Sequence, residues 1–127
     1  MYYKELPEKL KENPKYAKYL FHTLKTGLAN RNNDAEALKE AYEALSVVVK
    51  ENPGLTEEVF EALKVGLANV NNDTVSLKEA YKFLFTLAKE TPDLDEKVFE
   101  VFQTQLTDKK RLNDSCLILR EMAEETH

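Results

Sequence analysis

The sequence predicts an all-α fold built from paired antiparallel helices, and three observations carry that expectation. Glycine and proline number only three and four in 127 residues, too few for the turns of an all-β chain. Pro14, Pro53 and Pro92 recur at a spacing of 39 residues, each after a Lys-Glu pair and one polar residue. Between successive prolines, apolar residues fall at helical spacing in two runs divided by an Asn-rich stretch.

The elements follow in order. Residues 1–13 read as the tail of a preceding unit, because Leu10-Lys11-Glu12-Asn13 mirrors the end of the units behind it. Residues 14–52 form the first full unit and 53–91 the second; aligned without a gap they share 19 identities in 39 positions. Gly27-Leu28-Ala29-Asn30 returns as Gly66-Leu67-Ala68-Asn69, and Leu38-Lys39-Glu40-Ala41-Tyr42 as Leu77-Lys78-Glu79-Ala80-Tyr81. Within the second unit a first helix over about 55–69 places Leu55, Val59, Phe60, Leu63 and Leu67 on one face. Pro53 marks the break before it, and Thr56 or Asp95 followed by acidic residues suits a helix N-terminus. A second helix over about 74–90 starts from an Asp N-cap, Asp73 (Asp34 in the first unit), and buries Leu77, Ala80, Tyr81, Leu84, Leu87 and Ala88. Residues 92–127 form a divergent third unit. Leu94, Val98, Phe99, Phe102 and Leu106 match the second, but Asn113-Asp114 sits two residues late against Asn72-Asp73. Six long helices and one shorter N-terminal helix result. Links this short force antiparallel neighbours, and units that cannot bury their apolar faces alone stack into an α-solenoid. The whole of 1–127 is expected to be one such domain.

This two-helix, 39-residue pattern resembles HEAT and armadillo-type repeats over about 14–124. The resemblance rests on period and helix pairing. It implies a right-handed α-solenoid of about three repeats and a non-enzymatic scaffold that binds proteins or peptides. The agreement of two units fits an engineered repeat protein as well as a natural one. Cys116, His22, Gln103 and Gln105 are irregularities that a pure consensus would lack.

Individual residues are read first for structure. Gly27 and Gly66 mark a close helix–helix approach; Gln105 takes that place in the third unit, where no further neighbour presses. Phe60 is expected at the heart of the core with Phe21 and Phe99 at the same register. Asn30-Arg31-Asn32-Asn33 and Asn69-Val70-Asn71-Asn72 suit turns and caps and can stack as a polar ladder along one edge. Tyr42 and Tyr81 suit ring packing at the core edge with the hydroxyl facing water or a partner. His22 reads as a surface residue, Cys116 as a small buried hydrophobe, and His127 is terminal.

No nucleophile–base pairing, phosphate loop or metal-ligand spacing is present, so neither an enzyme nor a cofactor is expected. One cysteine cannot form an internal disulfide. A net charge of −5 argues against nucleic acid, and no apolar run approaches membrane-spanning length. The reading is therefore an intracellular, cytoplasmic chain with a protein or peptide partner. Charge is uneven: residues 1–52 hold nine Lys/Arg and eight Asp/Glu, whereas 53–127 hold nine and fifteen, which suits a partner carrying basic residues.

Comparing the two close units points to a recognition face on their second helices. The inward set is preserved, while Glu36/Val75, Glu43/Lys82, Ser46/Phe85 and Val47/Thr86 differ sharply. Positions 36, 43 and 47 share a face opposite Leu38 and Leu45. Glu36, Glu43, Val47, Val75, Lys82, Phe85 and Thr86 are thus the candidate protein-binding residues, on what the resemblance makes the concave side; the other reading of Phe85 is that it fills, with Phe83, the junction with the third unit. The alternative is a structural, self-assembling segment of a longer or engineered solenoid. It would associate end-on through the C-terminal helix, where Leu117, Ile118, Leu119 and Met122 make a wide apolar stripe.

Overall fold

A computed structural model describes residues 3–125, and among these the protein is all-α. Seven α-helices follow one another: α1 (Leu6–Glu12), α2 (Ala17–Ala29), α3 (Ala35–Glu51), α4 (Thr56–Leu67), α5 (Thr74–Glu90), α6 (Asp95–Thr107) and α7 (Leu112–Glu125). Six are long and the first is short, as the periodicity predicts. His127 lies outside the described residues.

Local chemistry explains the boundaries. Each recurring proline opens a single 3₁₀ turn, at Pro14–Tyr16, Pro53–Leu55 and Pro92–Leu94, and the α-helix starts at the next residue. Proline suits a first turn because its fixed φ matches the helix and its missing N–H would have had no partner there. The preceding residues Asn13, Asn52 and Thr91 have φ between −130° and −145°, which halts the incoming chain. At the other junction, Asp34 caps α3 by accepting from the Ala37 N–H at 2.9 Å. Asp73 goes further: its carboxylate accepts from the Ser76 N–H at 2.8 Å, and the Ser76 hydroxyl accepts from the Asp73 N–H at 2.9 Å. Two N-terminal donors of α5 are thereby satisfied reciprocally.

The chain divides into two compact units, Met1–Ala80 and Tyr81–His127, with the boundary inside α5. In the first, α2 packs on α3 and α4, and α1 packs on α3. Its core holds Leu10, Phe21, Leu24, Leu28, Leu38, Leu45, Val59, Phe60 and Leu63, all buried. In the second, α6 packs on α7, and Tyr81, Leu84, Leu87, Leu94, Phe102 and Ile118 are buried.

Four expectations are corrected. Phe99 does not share the burial of Phe21 and Phe60; it is 62% exposed. Cys116 is exposed as well, because α7 turns Ser115 and Ile118 inward instead. Ile118 is consequently unavailable to an end-on stripe, from which Leu117 alone is clearly exposed. Finally, α7 starts at Leu112, so Asn113-Asp114 belongs to the helix and the turn is made by Asp108–Arg111.

Candidate functional site

Between the helices of the first unit lies a recurring three-residue clasp. In α3 the Tyr42 ring is wholly buried and its hydroxyl donates to Asn72 Oδ1 at 2.9 Å. Asn72 in turn donates to the Gly66 carbonyl at 2.7 Å. The glycine is needed for this approach: a Cβ at Gly66 would stand 2.7 Å from Tyr42 Cε1, 2.9 Å from its hydroxyl and 3.0 Å from Leu28 Cδ2. A similar arrangement stands 39 residues earlier, with the bond between tyrosine and asparagine reversed. Asn33 Nδ2 reaches the Gly27 carbonyl at 2.7 Å and the Tyr3 hydroxyl at 3.3 Å, and a Cβ at Gly27 would run into the Tyr3 ring. Sequence reasoning missed Tyr3, although its 39-residue offset from Tyr42 was there to be counted.

The second unit modifies the clasp. Gln105 stands where the glycines stand, but it is buried, and its Oε1 accepts from the Tyr81 hydroxyl at 3.0 Å. Ser115 shares the same hydroxyl at 2.8 Å. Both tyrosine hydroxyls, expected at the core edge, are therefore held inside. Burial, only partly offset by the Ser115 hydrogen bond, raises the Tyr81 phenol above its usual 10.0.

The Asn-rich loops form the ladder that the sequence allowed. Asn69 Nδ2 donates to the Leu28 and Asn30 carbonyls at 2.9 and 3.1 Å. Asn71 Nδ2 donates to the Arg31 and Asn33 carbonyls at 2.6 and 2.7 Å. Each loop is braced internally by an identical turn, in which Asn30 and Asn69 accept from the N–H two residues on, both at 2.9 Å.

The candidate recognition residues are placed as follows. In the first unit Glu36 is exposed, Glu43 and Val47 are half-buried and Val75 is 56% exposed. Glu43 carries the clearest electrostatic signature. Partial burial raises its carboxyl above the usual 4.5; Glu79, Glu40 and Glu36 add to the rise, and Lys39, 3.8 Å away, opposes it. In the second unit Lys82, Phe85 and Thr86 lie exposed along one turn of α5. Lys82 approaches the Glu125 carboxylate at 3.8 Å, and the Thr86 hydroxyl donates to the Lys82 carbonyl. Phe85 stacks on Phe102 with ring centroids 4.6 Å apart, yet 45% of it stays exposed. Half of this ring is anchored and half is offered.

Among the described residues no group of three or more His, Cys, Asp and Glu side chains is placed to hold a metal ion, and no helix is long and apolar enough to cross a membrane. Comparison of the chain with protein-family models, with curated proteins and with solved structures finds no significant match.

Proposed function

We propose that this protein is a non-enzymatic binding scaffold of the HEAT/armadillo-like kind, and that the outer face of its α3 and α5 helices takes a peptide or protein carrying basic residues. The observation that carries the reading is the Glu43 carboxyl, raised first by its burial and then by the neighbouring Glu79, Glu40 and Glu36, with Lys39 opposing. A cation seated there relieves like-charge repulsion that the folded chain otherwise bears. Within the same unit the exposed Val75 supplies apolar surface of the sort that anchors partners. The test is an array of peptides of graded charge against the parent chain and Glu36→Lys/Glu43→Lys. Basic peptides should bind the parent and lose about tenfold or more in affinity for the variant. Equal binding to both would remove this face from consideration.

A second reading has its own observation. Phe99, Leu112, Leu117 and Cys116 are all exposed on α6 and α7, which favours a structural element that associates through this surface. Light scattering across a concentration series separates the two readings, since a strict monomer at high concentration disfavours assembly.

A further inference from the structure

The exposed line of the first helix in each pair changes sign between copies. On α2, Lys18, Tyr19, His22 and Lys25 fall at helical spacing and are all exposed. The positions 39 residues later, on α4, are Glu57, Glu58, Glu61 and Lys64, and they are exposed as well. Lys15 extends the cationic line into the 3₁₀ turn ahead of α2, and residues 14–33 hold no acidic residue.

This line is open for a reason independent of where the chain starts. On its upstream side α4 is packed by α2, yet its four positions stay exposed. A segment packed on α2 in the same way would leave Lys18, Tyr19, His22 and Lys25 exposed too. The corresponding positions of α6, Glu96, Lys97, Glu100 and Gln103, are likewise exposed. The charges are also unpaired. Among the described residues Lys15, Lys18, Lys25, Glu57 and Glu58 make no salt bridge, while Glu61 and Lys64 pair with each other at 3.4 Å.

We infer that this face is the interface of a weak twofold dimer, in which α2 of one copy lies on α4 of the other and α4 on the other's α2. Charge complementarity points to a second copy, because the chain itself carries the acidic counterpart of its basic line at matching positions. Geometry allows both contacts at once. The two helices lie side by side with their C-terminal ends together, since Asn69 beyond α4 donates to the Leu28 and Asn30 carbonyls at the end of α2. A twofold axis between them, along their length, sets each position of α2 opposite the position 39 residues later in the second copy. Lys18 then faces the partner's Glu57, and Tyr19, 73% exposed, adds apolar contact beside the partner's Glu58. Lys25 meets the partner's Lys64, whose charge Glu61 already offsets. Exposed ion pairs are individually weak, so the dimer belongs to high concentration and low salt. It uses neither the α3 and α5 face proposed above nor the exposed apolar side chains of α6 and α7.

Sedimentation velocity of the full chain over a concentration series is the test. At low salt the parent should approach the mass of two chains, and its dissociation constant should rise about tenfold or more as salt reaches about 0.5 M. Lys15→Glu/Lys18→Glu and Glu57→Lys/Glu58→Lys change only exposed side chains, and each should be monomeric with an unaltered helical circular dichroism spectrum. Mixed in equal amounts they should associate again, because both lines of one variant are then opposite in sign to both lines of the other. The milder Lys15→Gln/Lys18→Gln should weaken association about tenfold. A parent that stays monomeric at millimolar concentration and low salt overturns the proposal, as does a mixture of the two folded variants that does not associate. So does a dimer indifferent to salt and to every variant, which would move association to α6 and α7. An assembly that grows past two chains is incompatible with a twofold contact and also overturns it. A monomeric parent whose α2 amide resonances shift with poly-glutamate or with phosphatidylserine vesicles would assign the face to a foreign anionic guest instead.

Discussion

Gly66→Ala puts the clasp to a quantitative test. On helix propensity alone the substitution should stabilise, by up to about 1 kcal/mol in a helix interior. The gain is smaller here because Gly66 is the penultimate residue of α4. Against it stands the new methyl, 2.7 Å from Tyr42 Cε1 and 3.0 Å from Leu28 Cδ2, where carbon atoms prefer roughly 3.5–4.0 Å. Neither neighbour can withdraw cheaply, since both are fully buried and the Tyr42 hydroxyl is tied to Asn72. Overpacking of this kind costs about 1–3 kcal/mol, so the net expected loss is about 1–2 kcal/mol. Urea unfolding followed by far-UV circular dichroism measures it. Gly27→Ala is the parallel case: the new methyl would run into Tyr3, which is buried and hydrogen-bonded to Asn33. That variant should also lose about 1–2 kcal/mol by the same overpacking. In a Tyr42→Leu background the Gly66→Ala penalty should shrink, because the ring it strikes is gone. A Gly66→Ala protein as stable as the parent would show that the glycine is a helix-end preference and that the close approach does not require it.

Other consequences are simpler to state. Phe60→Ala should cost roughly 3–5 kcal/mol, as it deletes a ring that is 2% exposed; a loss below about 1 kcal/mol would contradict its burial. Asn69→Ala removes two donated bonds and one accepted bond from a buried site, and should cost about 2 kcal/mol by thermal or urea unfolding. Asn30→Ala loses a single exposed turn bond and should cost less than about 1 kcal/mol. The raised Glu43 carboxyl means that the folded state binds this proton more tightly than the unfolded one. Its effect is therefore most favourable at low pH and is lost as pH rises through the folded value. Glu43→Gln should accordingly stabilise at neutral pH, with the advantage fading once pH falls below the ordinary 4.5; a stability difference flat in pH would refute the linkage.

Most of the helical framework was legible because it rests on local chemistry. The prolines, the Asp34 and Asp73 caps and the apolar spacing of α2 to α6 each act within a few residues, and sequence displays such patterns directly. What escaped depends on residues far apart in the chain. Tyr3 belongs with Tyr42, but a ten-residue N-terminal stretch has too few apolar positions to show its register unaided. Phe99 carries the same residue type as Phe60, and only the packing around it decides that one ring is exposed and the other is not. Cys116 is exposed against expectation for a related reason. A four-residue apolar run, Cys116 to Leu119, exceeds the width of one buried stripe, and periodicity does not say which members face out; the phase is set by Ser115 and Ile118 turning inward. The candidate face on α3 and α5 was found by comparing two copies, which reveals variation but not the carboxylate crowding around Glu43.

The Asn ladder also works as a gauge of chain length. The side chains of Asn69 and Asn71 are rigid and short, and they find their carbonyls 38 to 41 residues upstream. One residue added between Asn69 and Asn71 would move the second amide off both of its acceptors while leaving the first in place. The helix-to-helix loop is thus intolerant of insertion although much of it lies at the surface. The junctions that open with Pro53 and Pro92 carry no such cross-loop bonds among those described here, and their hydrogen bonds close within three or four residues. Changes in length from one variant of this chain to another should therefore collect at the prolines, and the asparagine loops should keep theirs.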